Sequence, residues 1–139
     1  MDVAALITWI LTALGGFVLL GIWIAKGGVR EPGASKFPPA VIFGHFALAA
    51  TGLVIWIIYV IAGGKGLAWT AFVLLIPVAL LGFVMLFRWL PTVRAAATVG
   101  GPGTTAPVPA ERHFPVPAVI GHGLLAVTTL VLVLITAIR

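Results

Sequence analysis

The chain contains no cysteine. That absence excludes disulfides, thiolate metal sites, iron–sulfur ligation and c-type haem attachment. Carboxylates are nearly as scarce: Asp2, Glu31 and Glu111 are the only ones in 139 residues. Charged residues make up 8% of the chain, against roughly 25% in a soluble domain. No water-facing surface can be assembled from so few. There is no Ser/His/Asp set, no glycine-rich phosphate loop and no His-Glu-x-x-His, so enzyme chemistry finds little support. The net charge of +5 is carried at the ends of apolar segments, and nucleic acid is not expected as a partner.

What the chain does have is apolar residues, 62% of the total, in long blocks rather than on a helical stripe. A helix needs about 20 such residues to cross a bilayer core. Val3–Ala25, Pro39–Ala62, Leu67–Leu90 and Pro117–Ile138 meet that test, and none contains an acidic residue. His45, Arg88 and His122 are the only basic residues inside them. Backbone groups in lipid must be satisfied within the segment, which calls for helices. The alternation of a β-barrel strand is missing. The first segment follows Met1-Asp2, lacks a positive head and is followed by Lys26 and Arg30. It reads as a membrane helix, not a signal peptide. The expectation is an all-α, integral membrane four-helix bundle forming a single membrane domain over 1–139.

Three connectors join the segments. Lys26–Pro38 is rich in Gly and Pro, Gly63-Gly64-Lys65-Gly66 is a tight turn, and 91–116 is long, with a centre at 100–107 that reads as flexible linker. The first and third connectors fall on one side. With the end of the third segment, that side holds Lys26, Arg30, Lys36, Arg88, Arg94 and Arg112, against Lys65 and Arg139 on the other. Basic residues mark the cytoplasmic side. The expected setting is a bacterial inner membrane, multi-pass, with both termini outside the cytoplasm. Trp9, Trp23, Trp69 and Trp89 lie toward segment ends, where indole rings prefer the interface.

The sequence repeats itself. Phe37-Pro38-Pro39-Ala40-Val41-Ile42-Phe43-Gly44-His45 aligns without gaps on Phe114-Pro115-Val116-Pro117-Ala118-Val119-Ile120-Gly121-His122. Leu14-Gly15-Gly16-Phe17-Val18 lies over Leu80-Leu81-Gly82-Phe83-Val84, with Trp23 on Trp89. Matches of Leu and Val carry little weight in apolar helices, but the Phe-Pro, Gly-His and Trp matches are of rare types at fixed spacing. Two tandem two-helix repeats are expected, 3–62 and 67–138. Each unit crosses the membrane an even number of times, so the units run parallel about a pseudo-two-fold axis along the membrane normal. Phe-Pro starts a helix, because proline lacks the N–H that the first turn leaves unpaired. Gly-His follows roughly 9–12 Å further in. His45 and His122 are then level, on helices diagonal in an up-down ring.

A polar ring inside a membrane is a functional-site candidate. The first reading is one haem b, with His45 and His122 as axial ligands of its iron from opposite faces. Gly44 and Gly121, with Ala49, Gly52, Ala126 and Thr129 deeper, would leave room for a flat macrocycle. Lys36, Arg88, Arg94 and Arg112 could receive its propionates, and Phe43, Phe46, Phe83 and Phe114 could pack on it. The paired Gly-His helices resemble the haem-binding bundles of membrane b-type cytochromes. That resemblance rests on two short motifs and implies one haem, serving electron transfer or a respiratory accessory role. The second reading is a cofactor-free scaffold or accessory subunit, with imidazoles bonding across helix interfaces to Thr or backbone carbonyls. The third is metal or proton transport or sensing; it lacks any carboxylate within the segments. Lipid or quinone binding is a minor fourth.

His113 precedes Phe114-Pro115, and its repeat partner is Lys36; it reads as a basic interface residue. Pro77 is expected to kink the third helix. Thr8, Thr12, Thr51, Thr70, Thr128, Thr129 and Thr136 read as helix–helix glue. The bulk of Ala, Val, Leu and Gly, and the run from Gly121 to Val131, resemble small membrane proteins of high-GC actinobacteria, a likeness that implies no activity. Expected partners are the lipid bilayer and either other membrane subunits or further copies of the chain.

Overall fold

Long apolar blocks deprived of water can satisfy their backbone only as helices, and each of the four expected blocks is one. The computed structural model describes residues 1–98 and 108–139. Its helices are α1 (Asp2–Ala25), α2 (Pro39–Ala62), α3 (Lys65–Thr98) and α4 (Val116–Ile138). All four are long and apolar enough to cross a membrane. Pro39 and Pro117 sit in the first turns of α2 and α4, after Pro38 and Pro115 in extended backbone. The expected linker at 100–107 falls outside the described residues, and a short 3-10 turn, Ala110–His113, precedes α4.

The helices form a ring. α2 lies chiefly along α3 and α1 chiefly along α4, while α3–α4 and sparser α1–α2 contacts close it. Among the described residues the diagonals, α1/α3 and α2/α4, stay apart at the backbone. Each two-helix unit of the sequence therefore packs mainly on the other unit. Ala5, Ala68, Ala71 and Ala137 are fully buried at these contacts. Small side chains let helix backbones approach where lipid gives no hydrophobic drive for association.

The buried core is divided in two. One cluster, built on Trp9, Trp56, Leu75 and Val133, fills the half that holds the termini. The other, built on Trp23, Phe37, Ile42, Trp89 and Ala110, fills the half that holds the first and third connectors. His45 and His122 belong to neither. The indoles of Trp9, Trp23 and Trp89 are 3%, 1% and 4% exposed, so three of the four tryptophans expected at the lipid interface are core residues. Trp69, 41% exposed, keeps the expected outward position.

α3 also departs from expectation. The sequence predicts an end at Leu90 with a connector from Pro91, whereas the helix continues to Thr98 with both Pro77 and Pro91 inside. A helix-interior proline costs about 3 kcal/mol in isolation. Here the next turn is held by packing: Trp89 and Thr92 are buried, Trp89 Nε1 donates to Glu111 O at 3.1 Å, and Thr92 Oγ donates to Trp89 O at 2.6 Å. Tertiary contact overrides local propensity.

α2 and α3 are joined by Gly63 and Gly64 alone, with φ of 74° and 103°. Gly63 combines that φ with a ψ of −167°, a region essentially closed to residues with a Cβ. Gly63→Ala is expected to lower stability by about 1–3 kcal/mol, read from thermal loss of helical circular dichroism in detergent. An unchanged melting curve would mean that the turn tolerates another path.

Candidate functional site

His45 projects from α2 and His122 from α4, both half-buried. His45 Nδ1 lies 2.9 Å from the Val78 carbonyl of α3, and His122 Nδ1 lies 2.9 Å from the Thr12 carbonyl of α1. A carbonyl oxygen can only accept, so each Nδ1 carries the hydrogen and each Nε2 keeps its lone pair. Neither Nε2 has a hydrogen-bond partner among the described residues. No side-chain polar atom there is both sealed and unpartnered, so each Nε2 borders accessible space. The two ring centres are 6.3 Å apart, with planes inclined at 58°. Helices whose backbones do not touch thus meet through their imidazoles, at the level where the apolar core is interrupted.

The glycines expected to make room are not the ones that touch the rings. A Cβ on Gly121 would meet nothing within 4 Å, and one on Gly44 only Leu81 Cδ1 at 3.9 Å. The close approach falls on Gly16 and Gly82. A Cβ on Gly16 would stand 3.1 Å from His122 Cε1, and one on Gly82 3.5 Å from His45 Cε1. Both glycines were visible as aligned positions of the repeat, but nothing in the alignment tied them to the histidines.

Other expected site residues are distributed unevenly. Toward the termini the space is taken: a Cβ on Gly52 would stand 3.0 Å from Trp9 Cζ2, and Thr129 is buried with its hydroxyl 3.4 Å from that of Thr12. Phe43, Phe46 and Phe83 are exposed, facing Trp23, Phe17 and Phe87 respectively. They do not enclose the histidines. Phe114 meets Phe37 at 6.1 Å, between the ring pair and the connectors. Arg88 Nη1 donates to Lys36 O at 2.8 Å, bringing those two residues together; Arg94 and Arg112 are exposed at the same end. His113 is exposed, with Nδ1 3.3 Å from Ala110 O of its own turn, away from the pair. Of the threonines read as glue, only Thr12 and Thr129 reach each other; Thr8, Thr51, Thr70, Thr128 and Thr136 bond carbonyls of their own helices.

A polar cap closes the connector end, and sequence reasoning missed its centre. Glu111 is fully buried. Its Oε2 accepts from Ser35 Oγ and its Oε1 from Lys36 N, each at 2.8 Å. Ser35 Oγ in turn accepts from Trp23 Nε1 at 2.8 Å and Phe37 N at 2.9 Å. Ala110 N donates to Ala34 O at 2.7 Å, fastening the two connectors directly. The only signal was a lone acid in an otherwise basic stretch. Its tertiary partners, a serine and a backbone amide far off in sequence, leave no pattern.

No protein-family model, curated protein or solved structure matches this chain significantly. The resemblances to b-type cytochromes and to actinobacterial membrane proteins gain no support from these comparisons. What stands is an all-α, four-helix protein whose helices are all capable of membrane spanning.

Glu111→Ala would strand the Ser35 hydroxyl and the Lys36 amide. An unpaired buried donor costs about 1–3 kcal/mol, so the variant should melt clearly below the parent in the same detergent. Glu111→Gln, which retains one acceptor oxygen, should fall between them. A parent-like melt for Glu111→Ala would show that the cap contributes nothing to stability.

Proposed function

We propose that this protein is a membrane b-type haem protein with one haem held between His45 and His122, serving electron transfer or a respiratory partner complex. The observation that carries the reading is the separation of the two rings. An imidazole–metal bond is about 2 Å, and the ring centre lies roughly 1 Å behind the nitrogen, so two rings gripping one ion have centres about 6 Å apart. The 6.3 Å between His45 and His122 fits that span. The carbonyl bond at each Nδ1 is the outer-shell partner that ligating histidines use to fix tautomer and orientation.

Two ligands alone favour haem over a bare ion. No group of three or more metal-binding side chains occurs among the described residues, whereas zinc takes four ligands. Haem would bring most of its iron's ligands itself, and His45 and His122 would supply the two it takes from the protein. When bound, haem supplies one-electron redox chemistry. The chain orients the imidazoles, excludes water with the Phe37–Phe114 pair and the Glu111 cap, and blocks the side toward the termini with Trp9 and the Thr12–Thr129 contact. Gly44 and Gly121, one residue before each histidine, would border the group on the side of the connector end. Lys36, Arg88, Arg94 and Arg112 are the candidate propionate partners there.

Tandem duplication about a two-fold axis is part of the same reading. Thr12 and Val78 are aligned positions of the repeat, and so are Gly16 and Gly82. Each imidazole therefore meets the same two positions of the other unit's first helix. Phe37 and Phe114, also aligned, meet each other on the same line. The basic connector end is assigned to the cytoplasmic side of a bacterial inner membrane.

The second reading, a cofactor-free scaffold or accessory subunit, is favoured by the same Nδ1 bonds, because they already join helices across an interface. Optical spectra separate the two. Protein purified from haem-replete cells should show a six-coordinate Soret band, which both His45→Ala and His122→Ala abolish while helical content stays. Gly16→Ala should perturb the band more than Gly82→Ala, because its Cβ intrudes further on the imidazole. Parent protein that stays colourless and leaves the spectrum of added haemin unchanged would sink the haem reading. Lowered melting temperatures in the histidine variants would then point to helix glue, and stoichiometric metal by elemental analysis without a Soret band to a metal site.

A further inference from the structure

We infer that the connector end carries a collar for the phosphodiester groups of anionic phospholipids, tightest between Lys36 and Arg88. The inference needs no haem; with haem bound, its propionates and lipid phosphate would share Lys36, Arg88, Arg94 and Arg112. Lys26, Arg30, Lys36, Arg88, Arg94 and Arg112 are all exposed. They come from the end of α1, the first connector, α3 and the 3-10 turn before α4, so they encircle the bundle rather than mark one face. Glu31 is the one exposed acid at this end, because Glu111 is withdrawn into the core on the neutral donors Ser35 and Lys36 N. Among the described residues, Lys26, Arg30, Lys36, Arg88 and Arg112 have no carboxylate partner within salt-bridge distance. The Arg88–Lys36 carbonyl bond draws two cationic residues together with no anion between them.

A second observation says what meets them. Interfacial anchoring of a membrane helix normally falls to Trp and Tyr or to Lys and Arg. At this end the tryptophans are unavailable: Trp23 and Trp89 are buried, with Nε1 committed to Ser35 and to the Glu111 carbonyl. Anchoring is left to the cations. They stand at the ends of apolar spans, at headgroup depth, and meet lipid phosphate before any water-soluble partner. Basic side chains near an anionic leaflet are each drawn to it, and guanidinium grips phosphate through paired donors.

The test uses the full chain in vesicles of mixed phosphatidylglycerol and phosphatidylcholine, with a spin label on one lipid or the other. The relative association constants are read from the motionally restricted fraction of each spectrum. Phosphatidylglycerol should be preferred by about fivefold or more, the effect of a single well-placed cation. High salt should reduce the preference. Lys36→Gln with Arg88→Gln should remove most of it. Lys26→Gln, Arg30→Gln and Arg112→Gln together disturb no side-chain hydrogen bond and should lower it without unfolding the bundle. Lys65→Gln, at the opposite end, should leave it unchanged. Equal association of both lipids, a preference untouched by either set, or its loss to millimolar inorganic phosphate would overturn the proposal. Salt-sensitive capture of an acidic soluble protein with no lipid preference would likewise assign the collar to a protein partner instead.

Discussion

A polar group inside an apolar bundle must find its partner within the bundle, because lipid offers none. The rest of the structure is organised around that constraint at two levels. Within the first two turns of α2 and α4, two imidazoles satisfy Nδ1 on backbone carbonyls that are already part of helices. A carbonyl oxygen has two lone pairs and can serve both the helix and the ring. At the connector end a carboxylate is satisfied by a hydroxyl and an amide, and two indoles complete the set. Between these levels the packing is aromatic, and below them it is alanine, tryptophan and branched aliphatics.

These bonds run within the close helix pairs. Each histidine bonds into the helix beside its own, and those helices belong to the other sequence unit. α2 with α3 and α4 with α1 are the close pairs, and the imidazoles meet in the seam between the two pairs. Toward the termini the seam is closed by Trp9 against Gly52 and by the two threonines. Toward the connectors it is closed by the Phe37–Phe114 pair and the cluster around Trp23 and Trp89. The haem proposal depends on the ring separation.

Much of the architecture was legible in the residue order. The four blocks, the starts of α2 and α4 after Pro38 and Pro115, and a glycine turn at Gly63-Gly64 follow from local chemistry, and each helix starts within two residues of its expected position. Where the reading failed, long-range contact had overridden a local rule. Pro91 would end an isolated helix, but Trp89 and Thr92 are held in the core and carry α3 past it. Trp23 and Trp89 would suit a lipid interface, but Ser35 and Glu111 give their N–H groups partners inside. The threonines satisfy their hydroxyls most cheaply on their own helices, so few are left to act as glue. Gly16 and Gly82 align with each other in sequence, but an alignment does not say what either touches. Which helix faces which is not written in spacing.

The residue order alone determined that this chain forms helices of membrane-spanning length, where most of them begin, and which two imidazoles lie within them. These outcomes depend on the hydration of side chains and backbone, which is local. Only the tertiary structure decided that the imidazoles come within reach of each other, that Gly16 and Gly82 make way for them, and that Glu111 is enclosed rather than displayed. Those outcomes depend on which helix faces meet across a distance of many residues, and the helices have apolar residues on every face, so no periodicity in the sequence could rank the alternatives.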